Sequence, residues 1–159
     1  MRPLDIGNEG NVPTHIIVHC TGSPRKFGDG TVVDRDEIHA WHRTRGWAGI
    51  GYHWVVMPDG TSQPGRAEDR EGAHCRDYNR RSLGVVWVGG KTSKSYFPIL
   101  PVQRVNLLEL LASRCLRFNI SPENVLGHRE TGAKKSCPDL DCDHLRSDLL
   151  TVLESQVCI

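Results

Sequence analysis

The chain has 159 residues, a length at which one domain buries a core without disulfide or metal staples. Its 20 Lys and Arg against 19 Asp and Glu leave a formal net charge of +1, so no global field marks nucleic acid or a membrane surface as partner. The first ten residues mix charge, Pro and Gly where an export signal needs roughly 7–15 apolar residues. Runs such as Val85-Val86-Trp87-Val88 fall far short of the roughly 20 residues of a membrane span, so a soluble, monomeric protein without a secretory leader is expected.

Residues 1–13 read as an N-terminal extension to a single core of about 14–155. His15 to Thr21 is short, β-branched and followed by Gly22-Ser23-Pro24, which predicts a buried strand ending in a turn near His19. Asp34 with Glu37 three residues on forms a capping-box start. Ile38, Trp41 and His42 then share a helical face and Gly46 offers a stop, so 34–45 is predicted helical. Gly51 to Met57 alternates, and Pro58-Asp59-Gly60 supplies turn chemistry before Thr61-Ser62-Gln63, predicting a hairpin with Tyr52 at the start of its first strand.

Gly84 to Gly90 is apolar without alternation, as in a central strand covered on both faces. From Val102, the positions Val105, Leu108, Leu111, Ala112, Cys115 and Leu116 recur at three- and four-residue intervals and predict a long amphipathic helix, ended by Asn119 to Pro122. Val125 to His128 reads as a short strand. Leu145, Leu149, Val152 and Leu153 predict a last helix. Interleaved strands and helices with one hairpin imply an α/β fold: a mixed central sheet flanked by about three helices.

Six cysteines (Cys20, Cys75, Cys115, Cys137, Cys142 and Cys158) in a chain with no export signal argue for thiols rather than a disulfide framework. Cys158, near the C-terminus, is expected to be exposed. Cys20 follows His19 on a strand and is expected to point away from it. His19 and His128 each end a predicted strand, and Cys137 lies nine residues beyond His128. Two imidazoles and a thiolate would leave Zn²⁺ one tetrahedral position open, the pattern of a catalytic rather than a closed site. Spacing alone favours a structural or surface role for each of these residues.

The ordered motifs carry more. Ile17-Val18-His19-Cys20-Thr21, Glu37-Ile38 with Trp41-His42, Gly46-Trp47 and Gly51-Tyr52-His53-Trp54 are followed by Asp59-Gly60-Thr61, Gly65-Arg66, Gly72-Ala73-His74 and Tyr78-Asn79. Ser82-Leu83-Gly84-Val85, Gly127-His128 and Lys135-Ser136-Cys137-Pro138 close the series. Over about residues 14–145 this pattern resembles the type 2 N-acetylmuramoyl-L-alanine amidases, above all the small phage endolysins.

The resemblance implies an α/β fold shared with peptidoglycan recognition proteins and one zinc on His19, His128 and Cys137. It implies cleavage of peptidoglycan between the lactyl group of N-acetylmuramic acid and L-Ala, with Tyr52 and Lys135 catalytic. Lys135 would stabilise the oxyanion, and Tyr52 would orient water or donate a hydrogen bond. His74 and Asn79 are placed beside the substrate groove as candidate substrate-binding residues, with Arg66 and Trp47 as further candidates there. His15, His39, His42, His53 and His144 are expected to be structural or solvated. An endolysin would wait in the cytoplasm of the infected host until released to the wall. A non-catalytic peptidoglycan-binding module and a cytosolic muropeptide-recycling amidase remain alternatives.

Overall fold

A computed structural model describes residues 1–157 of the chain, so Cys158 and the exposure expected of it lie outside the described residues. Seven strands and three α-helices occur in the order β1 (His15–Cys20), α1 (Arg35–Thr44), β2 (Trp54–Val56), β3 (Ser62–Pro64), β4 (Ser82–Trp87), β5 (Gly90–Lys91), β6 (Tyr96–Phe97), α2 (Pro101–Phe118), β7 (Val125–Gly127) and α3 (Cys142–Val157). Five strands form one sheet in the order β3-β2-β4-β1-β7. β4 is its centre, parallel to β1 and β2, and β7 is an edge parallel to β1. Only β3 runs antiparallel, through the Pro58-Asp59-Gly60 turn, where Asp59 Oδ1 accepts the Thr61 amide at 2.9 Å and Gly60 takes a φ of 87°.

Side-chain alternation sorts the core into two layers. Ile16, Val18, Leu83, Val85 and Trp87 face α2 and α3, where Leu107, Leu111, Leu145 and Leu149 complete one cluster. Val55, Val86 and Val88 face α1 and pack with Val33, Ile38 and Ile50. α1 starts as predicted, with Asp34 Oδ1 accepting the Glu37 amide at 2.9 Å; the Glu37 carboxylate, however, accepts from Trp41 Nε1 at 2.8 Å.

One boundary and one face differ from the sequence reading. β2 begins at Trp54, three residues later than predicted, because α1 takes the amides before it: Ile50 donates to His39 Nδ1 at 3.1 Å and Gly51 to His42 Nδ1 at 2.8 Å. Tyr52 therefore lies in the approach to the strand. α2 is turned relative to the predicted apolar face. Val105 and Leu116 are each 56% exposed, whereas Gln103 is fully buried with its Nε2 donating to the carbonyls of Val56 at 3.2 Å and Val88 at 3.0 Å. The Val56 carbonyl also accepts the Val88 amide at 3.1 Å, but the Val88 carbonyl, just past β4, depends on the carboxamide, and that need outweighs burying a valine.

The first thirteen residues are bound to the fold rather than loose. Leu4 exchanges backbone hydrogen bonds with Gly65 and Ala67, and the Asn11 amide group donates to the carbonyls of Glu68 and Ser82. Cys20, Cys75, Cys115, Cys137 and Cys142 are all free thiols. No described helix is long and apolar enough to cross a membrane.

Candidate active site

The C-terminal ends of the parallel strands open into a groove of about 460 Å³, lined among others by His19, Tyr52, His74, His128, Lys135 and Cys137. This is the rim where an open α/β sheet gathers ligands. β1 delivers His19, 1% exposed, on the α1 side of the sheet. The neighbouring strand β7 ends at Gly127 and hands His128 to a 3-10 turn. The loop carrying Cys137 is fastened on both sides of it: the Arg129 amide donates to the Cys137 carbonyl at 2.9 Å, and Trp87 Nε1 donates to the Pro138 carbonyl at 3.0 Å. Gly127 allows the approach, since a Cβ there would stand 2.8 Å from the Pro138 ring.

One donor atom each of His19, His128 and Cys137 lies within 4.8 Å of the others, the one such group of three His, Cys or acidic side chains among the described residues. His19 Nδ1 and Cys137 Sγ are 3.8 Å apart. Tetrahedral zinc with bonds of about 2.0–2.3 Å sets neighbouring donors about 3.3–3.8 Å apart, so the donor set fits zinc in chemistry, and the His19–Cys137 pair fits it in spacing. Hydrogen bonding from Cys20, reinforced by His128 and His19, holds the Cys137 thiol well below its ordinary range. The thiolate is the form that binds metal. In return, hydrogen bonds from the imidazole to Cys137 and to Cys75 raise His128 to about 9.

Tyr52 packs its ring 5.0 Å from His19 and 5.5 Å from His42, centroid to centroid. Burial pushes its phenol above the ordinary tyrosine value, so the hydroxyl keeps its proton. Lys135 is exposed and lines the same groove. His74 lies against His19 rather than free in the groove: its Nδ1 is 2.9 Å from His19 Nε2, and burial holds its pKa well below the ordinary imidazole value. The Asn79 carboxamide oxygen accepts the His74 and Cys75 amides at 2.9 and 3.0 Å and so shapes the loop. Trp47 lines the groove beside Arg45, whereas buried Arg66 donates to the carbonyls of Ile50 and Glu71.

Cys20 obeys strand alternation, its side chain joining the core cluster on the α2–α3 side, yet it is not remote from Cys137. Its amide donates to Cys137 Sγ at 3.4 Å and its thiol to Asp139 Oδ2 at 3.3 Å. Asp139, which also accepts the Lys91 amide at 2.8 Å, was not singled out by the sequence motifs; no periodicity marks a loop residue in left-handed backbone with a φ of 56°. Among the remaining histidines, His42 reaches the groove wall, held by burial to a pKa of about 4. His53 is enclosed between β4 and the 65–72 loop, accepting the Gly84 amide at Nδ1 and bonding the Arg70 carbonyl through Nε2.

This architecture is that of amidase-type endolysins and peptidoglycan-recognition proteins. The endolysin amidase LysCS from Clostridium intestinale superposes with a TM-score of 0.74 at 23% identity, covering 93% of this chain and 95% of that one. Wild-type Drosophila PGRP-LB gives 0.68 at 25% identity, covering 86% and 81%. The chain belongs to the N-acetylmuramoyl-L-alanine amidase family, whose model matches residues 9–139. It is 35% identical to the endolysin of Enterobacteria phage T3 and 34% identical to that of Escherichia phage T7, in each case over 79% of this chain and 80% of the relative.

Proposed function

We propose that the chain uses one zinc ion, held by His19, His128 and Cys137, to hydrolyse the amide between the lactyl group of N-acetylmuramic acid and L-Ala of peptidoglycan. We further propose that it does so as a phage endolysin, kept in the cytoplasm of the infected host until release to the wall. The observation that carries the reading is the convergence of two imidazoles and a thiolate in one groove with Tyr52 and Lys135. The likeness to phage endolysins over most of the chain supports the biological setting.

Bound zinc supplies Lewis acidity that polarises the scissile carbonyl and lowers the pKa of a water toward about 7. The protein's own groups do the rest. Tyr52, protonated by virtue of burial, is a hydrogen-bond donor to the carbonyl oxygen as it gains charge, or to the attacking water; it is not a base. The Lys135 ammonium adds positive charge on the groove's exposed side, where the tetrahedral oxyanion needs it. His74 and Asn79 serve substrate binding indirectly, through the shape of the loop that borders the groove.

Purified protein incubated with peptidoglycan is expected to release new L-Ala amino termini, and Cys137→Ser is expected to abolish that release together with zinc binding. Wild-type protein that carries zinc and releases no termini would leave a binding module and end the enzymatic reading.

A further inference from the structure

The polar groups behind His19 form a chain with one permitted direction. The Ser82 hydroxyl lies 2.7 Å from the Tyr78 carbonyl, which only accepts, so Ser82 donates there. His74 Nε2, 3.3 Å from the same oxygen, is then left to donate its own proton to Ser82. A neutral His74 protonated at Nε2 has a lone pair at Nδ1, which accepts from His19 Nε2 at 2.9 Å. His19 with its proton on Nε2 presents the Nδ1 lone pair toward Cys137, where the metal donors meet.

The chain is also built to stay in place. A Cβ at Gly84 would stand 2.6 Å from the His74 ring, and one at Gly72 would stand 2.5 Å from it, so only glycine at these two positions leaves the ring its seat. Asn79 fixes the His74 backbone from the other end of the loop. We propose that His74 is a positioning residue: relayed from the Tyr78 carbonyl through Ser82, its hydrogen bond sets the His19 tautomer and ring orientation that leave Nδ1 free as a metal donor. The proposal rests on the zinc reading, since a tautomer matters only if Nδ1 binds metal.

Two measurements on the full chain test it. In metal-free protein, ¹⁵N-resolved imidazole spectra should show His19 as the Nε2–H tautomer; an Nδ1–H tautomer would overturn the proposal. Zinc affinity, measured by competition with a chromophoric chelator, should fall about 10- to 100-fold in His74→Ala, the range for loss of a group that orients a ligand. The visible bands of the cobalt-substituted protein should shift in the same variant. His74→Gln, which can accept from His19 and donate to Ser82, should recover most of both. Ser82→Ala frees the direction of the relay without emptying the His74 seat, and carries the test if His74→Ala does not fold. Unchanged affinity and cobalt spectrum in His74→Ala, or in Ser82→Ala in its place, would overturn the positioning role alone. Wild-type protein that binds no zinc would overturn the metal reading and this proposal with it.

Discussion

Tyr52 is held between His19 and His42 with its phenol protonated, which separates two roles a tyrosine can play beside a scissile amide. A donor contributes by one hydrogen bond to developing charge, so Tyr52→Phe is expected to lower kcat by about 100-fold. Zinc content should stay at the wild-type value; a variant with wild-type kcat would remove Tyr52 from the chemistry. That His19, His128 and Cys137 come together, with Tyr52 and Lys135 in the same groove, was legible in the sequence through the ordered motifs that carry them. The His74 contact to His19 was not legible. It joins residues 55 positions apart through a ring seated by two glycines, and no periodicity encodes that. Asp139 escaped similarly, as a loop carboxylate placed by the Lys91 amide and the Cys20 thiol.

Gln103 shows how an element can defeat its own hydrophobic pattern. The apolar spacing of α2 marked the helix and most of its core face, including Leu111, Ala112 and Cys115, but it could not foresee that two strand-end carbonyls would claim a carboxamide. Gln103→Leu is apolar and of similar size, yet it strands the Val88 carbonyl, while that of Val56 keeps the Val88 amide; a loss of about 1–3 kcal/mol in urea unfolding is expected. A neutral result would mean that water replaces the carboxamide. His53 performs a comparable service for β4, and it makes stability depend on pH. A His53 protonated at Nδ1 cannot accept the Gly84 amide, and burial holds the folded-state pKa at about 4, against about 6.5 in the unfolded chain. Above pH 6.5 neither state binds this proton. Between 6.5 and 4 the unfolded state binds it and the folded state does not, so stability falls on acidification by up to about 1.4 kcal/mol per pH unit. His42, also at about 4, adds to the slope. Denaturation midpoints measured from pH 7 to 4 should show this decline, and His53→Gln should flatten it; a midpoint independent of pH would contradict the assignment.

Across the whole molecule, both hydrophobic layers close mainly on their own apolar residues, with Cys137 alone of the three candidate metal donors packed against one of them. Chelation is therefore expected to leave far-UV circular dichroism and a cooperative melt in place. The lost stability should match mass action, about 4 kcal/mol when free zinc had stood at 1,000 times its Kd. Collapse of the fold on chelation would make the metal structural instead. The placement of the donors adds a kinetic consequence. His19 belongs to an inner strand, but His128 and Cys137 both follow β7, which has a neighbour on one side only. An edge segment of this kind opens locally far more often than the sheet unfolds. Zinc held as proposed would thus escape through excursions of residues 128–137, its residence time set by the lifetime of that clasp rather than by global unfolding. In turn, bound metal would slow amide hydrogen exchange along that segment by closing its local openings, and in β4 only through the added global stability.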